Sequence, residues 1–135
     1  LANYFLKKCF PDSNIGTITD FKDLQSITKQ KLRNYDFVIL PQTFMEKFEK
    51  KSINLFINTT SLGEMDDKSQ QFYLDNIERI EPKYFYSVNR AKKRNDKYDA
   101  GGFYNLSFNQ RWKSIIYRYT HTYHLEFLGE FVENK

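Results

Sequence analysis

One cysteine, Cys9, is all that this chain offers to sulfur chemistry. A lone thiol excludes an intramolecular disulfide and any multi-cysteine metal site, and it fits a reducing compartment; Cys9 itself reads as a small core residue. Glycine is scarce too. Gly16, Gly63, Gly101, Gly102 and Gly129 form neither a G-x-G-x-x-G nor a Walker pattern, so a dinucleotide or triphosphate fold cannot be argued from them. Two histidines, His121 and His124, have no evident third ligand, so no metal site is expected. No apolar run approaches the roughly 20 residues that span a bilayer, and no cleavable signal pattern opens the chain. A cytoplasmic location is therefore expected.

Aromatic residues, by contrast, are abundant. Thirteen Phe and ten Tyr stand against one Trp, and 40% of the 135 residues are hydrophobic, which is enough to build a folded core and argues against wholesale disorder. The length fits one domain of ordinary size. Leu1–Phe10 carries Ala2, Phe5, Leu6 and Cys9 at helical spacing and ends at Pro11-Asp12-Ser13. NIGTIT reads as a short strand, and the stretch from about Asp20 to Lys31 as a helix through Phe21, Leu24, Ile27 and Lys31. YDFVIL is continuous and apolar, as a doubly buried parallel strand should be, and Pro41 ends it. PQTFMEKFEKK follows as a loop or short helix.

The most informative stretch is Ser52–Arg90. INLFIN is a short β-prone run; Asn58-Thr59-Thr60-Ser61 interrupts it, and Gly63 supplies freedom for a turn into a helix starting near Met65. Phe72, Tyr73, Ile77 and Ile80 give that helix one apolar side, and Pro82 stops it. KYFYSVN is the next strand, so the unit is strand, helix, strand, with the two strands parallel in one sheet. Ligands in such sheets lie outside the carboxyl ends of the strands. That selects Asn58–Met65 and Asn89-Arg90. The competing role is structural, since Ser61 with Glu64 three residues on fits a capping box.

Beyond Asn89 the character changes. RAKKRNDKYDAGG packs four basic residues into Arg90–Arg94 and reads as a surface loop. Strands are expected near Trp112–Tyr119 and Tyr123–Phe131, joined too closely for a parallel crossover and so antiparallel.

The order of these elements, with NTTSLGEMD after one strand, Tyr73 in the next helix and SVNR ending the next strand, resembles the second half of a class I S-adenosylmethionine-dependent methyltransferase. In that fold a seven-stranded sheet ends in an antiparallel final strand. More narrowly, Asn58, Thr59, Ser61, Glu64 and Met65 match the N-T-x-S-x-x-E-M segment of a bacterial sugar O-methyltransferase family. The opening LANYFLKKCFP is similar to the helix after the second strand of those proteins. The resemblance implies an α/β fold: a partial Rossmann-like methyltransferase sheet of parallel strands with helices and a C-terminal antiparallel hairpin. It further implies S-adenosylmethionine as cofactor and a sugar or nucleotide-linked sugar as acceptor. Asn58, Thr59, Ser61, Met65, Asn89 and Arg90 would line the substrate pocket, and Glu64 would be the nearest carboxylate to act as general base. The glycine-rich cofactor strand and the ribose-binding carboxylate have no counterpart here. The chain is then expected to be the C-terminal portion of a larger domain, binding the cofactor poorly on its own.

In-line methyl transfer needs alignment of the two reactants and usually removal of the hydroxyl proton. Glu64 in a first helical turn would be made less basic by the helix dipole. His121 and His124 are the other proton-transfer candidates. Trp112, Tyr117, Tyr119 and Tyr123 are candidates for stacking on a sugar ring, although aromatics on terminal strands are more often core. Two other classes stay open: a nucleic-acid-binding or RNA-modifying domain using the basic loop 90–97, and a non-catalytic α/β interaction module. Nucleic acid is disfavoured, because Asp96 and Asp99 dilute the loop and a net charge of +4 is modest. Homo-oligomer formation is left open.

Overall fold

In a computed structural model, residues 1–90, 111–120 and 124–133 are described. The basic loop beyond Arg90, the glycine pair, His121 and Tyr123 lie outside the described residues. The chain divides into two compact units, Leu1–Ser52 and Ile53–Lys135. Both are mixed α/β, one with a two-stranded parallel sheet and the other with a four-stranded mixed sheet.

In the first unit, helix α1 (Ala2–Cys9) leads to strand β1 (Ile15–Gly16), short helices α2 (Ile18–Phe21) and α3 (Lys29–Leu32), and strand β2 (Phe37–Val38). β1 and β2 pair in parallel, and Phe21 and Ile27 are fully buried. The single helix expected over 20–31 is broken, for a local reason. Thr17 and Asp20 close a reciprocal capping box on α2, while Thr28 starts α3 by accepting the Lys31 amide. Between them the Ile27 backbone pairs with the 47–49 segment: its N–H donates to the Lys47 carbonyl at 2.7 Å and its carbonyl accepts from Glu49 at 3.1 Å. Those bonds replace helical ones. Gln42–Lys47 forms a 3-10 helix. α1 forms as its spacing predicts but buries none of its residues, so Cys9 is exposed rather than part of the core.

In the second unit, strand β3 (Leu55–Thr59) is followed by a 3-10 turn at Leu62–Glu64, helix α4 (Asp67–Ile80) and strands β4 (Tyr84–Arg90), β5 (Trp112–Tyr119) and β6 (His124–Phe131). The sheet order is β3-β4-β6-β5. β3 and β4 are parallel, as a strand-helix-strand unit requires, and β6 runs antiparallel to both β4 and β5. α4 is capped by Asp66, whose carboxylate accepts the Ser69 amide at 2.8 Å, and ends at Glu81 in the left-handed region just before Pro82.

Register fixes the two sheet faces, because side chains directly opposite on paired strands lie on one side. Phe56, Phe85, Phe127 and Gly129 share the buried face with Asn58, Ser87, Asn89 and Leu125. Phe85 meets the rings of Phe56, Trp112 and Phe127 edge-on, at centroid distances of 5.8, 5.8 and 6.0 Å. Gly129 leaves room for this cluster: a Cβ there would stand 2.5 Å from the Phe127 ring. The opposite face carries Leu55, Ile57, Tyr84, Tyr86 and Val88, with Leu55 and Ile57 45% and 58% exposed.

Across that second face a polar relay ties three strands together. The Tyr86 hydroxyl donates to Glu126 at 2.9 Å, and the Arg118 Nε donates to the other carboxylate oxygen at 2.6 Å. The Arg118 guanidinium, and after it the Tyr86 hydroxyl, hold the Glu126 carboxyl below its ordinary range. A carboxyl so lowered contributes stability that is fully present above its ordinary value of 4.5 and is lost as pH falls through the lower folded value. Urea denaturation followed between about pH 7 and pH 3 should therefore show a shallower acid decline for Glu126→Gln than for the wild type, which starts higher at neutral pH.

Candidate functional site

The parallel ladder of β3 and β4 ends at Thr59 opposite Val88, and the chain must then turn into α4 while leaving no buried amide unpaired. It does so with side chains. The Thr60 N–H still donates to the Val88 carbonyl at 2.7 Å. The Asn89 Oδ1 then accepts from the Ser61 N–H at 3.1 Å and the Gly63 N–H at 3.2 Å, while the Asn58 Oδ1 accepts from the Leu62 N–H at 3.1 Å. The two carboxamides are joined to each other, with Asn89 Nδ2 donating to Asn58 Oδ1 at 3.0 Å and to the Ser87 Oγ at 2.6 Å. Glu64 and Met65 complete the turn by donating to the carbonyls of Ser61 and Leu62.

Every amide from Thr60 to Met65 is thus engaged within the protein. The turn therefore differs from an anion-binding nest, in which successive N–H groups point outward. What it presents is side chains. Thr59, Thr60 and Glu64 are exposed, and Ser61 and Arg90 are half-buried. Glu64 and Arg90 form an ion pair at 3.1 Å.

The described residues singled out from the sequence have definite places. Asn58, Thr59, Ser61, Glu64, Asn89 and Arg90 gather at the carboxyl ends of β3 and β4, whereas Asn58 and Asn89 are turned into the buried face rather than toward a ligand. Met65 follows the turn and offers its carbonyl to Gln70 Nε2 at 3.0 Å. His124 opposes Arg90 and Tyr119 opposes Leu125, so both reach the same sheet end. Trp112 opposes Phe131 at the other end and belongs to the aromatic cluster. Tyr117 and Tyr119, expected in the core, are each 57% exposed because β5 is an outer strand. Among the described residues, no group of three or more His, Cys, Asp or Glu could hold a metal ion.

One expectation is corrected. Ser61 makes no side-chain capping bond, since Asp66 caps α4 and Glu64 precedes that helix; the turn is held by Asn58 and Asn89 instead. Among the described residues no glycine, Gly63 included, takes a left-handed conformation. Thr60 does, with φ 53°, an unfavourable region for a β-branched residue. Ser87 and Thr60, named from the sequence only within the SVNR and N-T-T-S motifs, contribute to the turn in ways those motifs did not specify. Ser87 was legible in the alternation of YFYSVNR, which places it beside Asn89 on the Phe85 face; the backbone of Thr60 left no signal.

Relief of that strain is measurable. Thr60→Gly should raise stability by about 1 kcal/mol, the scale of a left-handed penalty for a residue with a Cβ. Gly63→Ala should stay within about 1 kcal/mol of wild type, because its Cβ would meet the Arg90 backbone at an ordinary 3.4 Å. Chemical denaturation of both variants checks the pair. Comparison with protein-family models, curated proteins and solved structures finds no match to this chain.

Proposed function

We propose that the carboxyl ends of β3 and β4 form the acceptor side of an S-adenosylmethionine-dependent methyltransferase acting on a sugar hydroxyl. The observation that carries this reading is the N-T-T-S turn fixed where the parallel pair ends, in a sheet whose final strand β6 is antiparallel. It agrees with the partial Rossmann-like sheet that the resemblance implies.

The polar groups on offer suit a neutral polyol. Thr59 and Thr60 expose hydroxyl side chains, Ser61 lies beside them half-buried, and Glu64 is the carboxylate of the turn. A sugar hydroxyl could donate to Glu64, which would take the proton while neighbouring hydroxyls orient the ring. Arg90 fixes Glu64 on one side through the 3.1 Å contact. A surface pair of this kind is worth only about 0–1 kcal/mol, so a nearby phosphate of a nucleotide-linked sugar could engage Arg90 without much loss.

The described residues do not fit S-adenosylmethionine by themselves. The turn has no outward amides, and the chain lacks a glycine-rich loop. Their part is to hold the acceptor and its proton.

A second reading, a non-catalytic interaction module, draws on the exposed Leu55 and Ile57 on the second sheet face. The two part in one experiment. A protein that joins this chain to a glycine-rich cofactor strand, incubated with methyl-labelled S-adenosylmethionine and a panel of free and nucleotide-linked sugars, should transfer label to one of them. Glu64→Gln should lower the rate by about a hundredfold or more with the fold intact. No transfer to any sugar, or transfer unchanged in Glu64→Gln, would count against the assignment of site and base.

A further inference from the structure

Asn89 is fully buried and touches the turn from behind, yet its bonds flank the exposed pair at the rim. The Gly63 N–H bonds to the Asn89 side chain, and the next residue on each side, Glu64 and Arg90, carries the ion pair. We propose that Asn89 is the positioning residue of this site: one buried carboxamide, acting as donor and acceptor at once, holds the 60–64 turn against β4 and thereby sets Glu64 beside Arg90.

The two asparagines have different duties. Asn58 uses its oxygen, which accepts from Leu62 N–H and from Asn89 Nδ2, and no described group accepts from its amide nitrogen. A carboxylate could do the same. Asn89 needs both ends: its oxygen accepts from Ser61 and Gly63 while its nitrogen donates to Asn58 and Ser87. A carboxylate at 89 would turn an oxygen toward the Asn58 oxygen, where 3.0 Å now separates donor from acceptor. The Ser87 hydroxyl can rotate to donate, but Asn58 cannot flip its amide without losing Leu62. Two acceptors facing each other in a buried site are repulsive.

The proposal therefore predicts an asymmetry between isosteric changes. Residue-resolved hydrogen exchange on the whole chain would compare Asn89→Asp with Asn58→Asp, each corrected for the intrinsic rate at its pH. Near neutral pH, Asn89→Asp should lower protection of the Ser61 and Gly63 amides by about tenfold or more, and acidification that protonates the introduced carboxyl should restore it. Amides of the β4–β6 ladder should keep their protection, and Asn58→Asp should keep it at Ser61 and Gly63 as well. Equal losses in the two variants would overturn the proposal. So would unchanged protection in Asn89→Asp at every pH, or a loss shared with the β4–β6 ladder that acid does not reverse. The inference gains its catalytic meaning from the methyl-transfer reading, but the exchange experiment needs neither cofactor nor sugar and is decided independently of it.

Discussion

Where a parallel ladder stops, the chain must find new partners for its amides or expose them, and here the Asn58–Asn89 carboxamide pair supplies those partners. An unpaired buried polar group costs more than a satisfied one contributes, so a fully buried carboxamide is tolerated when both its ends find partners. Asn89 meets that condition through Ser61, Gly63, Asn58 and Ser87. The left-handed Thr60, the buried Leu62 and Glu64, paired with Arg90, all lie in or beside the turn that these bonds hold.

The same constraint shapes the chemistry. Because the side-chain oxygens of two asparagines take the amides of the turn, a ligand meets hydroxyls, a carboxylate and a guanidinium in place of a ring of N–H donors. Under the methyl-transfer proposal such a surface would meet a partner rich in hydroxyl groups; a bare triphosphate is usually held by a nest or helix N-terminus. Strain at Thr60 belongs with this picture, since sparsely populated backbone states persist where surrounding bonds over-determine them.

Much of the second unit was legible in the sequence. INLFIN, the amphipathic run to Ile80 and the alternation in YFYSVNR specify β3, α4 and β4 because burial on one side imposes a period, and a short link between two aromatic runs forces the β5–β6 hairpin. The first unit was less legible. The apolar spacing across Phe21, Leu24 and Ile27 is helical, but Thr17 and Thr28 each start a separate helix and the Ile27 backbone pairs with a distant segment. At the carboxyl ends of β3 and β4 the residues named from the sequence gather, but the turn is held differently from the expected capping. Ser61-x-x-Glu64 has the pattern of a capping box, and only the distance between Asn89 and the Gly63 amide shows that a neighbouring strand does the capping. Cys9 was misplaced because a helical stripe implies a covering partner, and among the described residues α1 has none that buries it.

We propose that the turn serves methyl transfer. Isothermal titration of S-adenosylhomocysteine into this chain, and into a protein that joins it to a glycine-rich cofactor strand, tests that reading most directly. Saturable binding is expected only where the glycine-rich strand is present, with weak or no binding to the 135-residue chain, whose described residues do not make a cofactor cradle. Absence of binding to both would contradict it and leave the turn as a purely structural device.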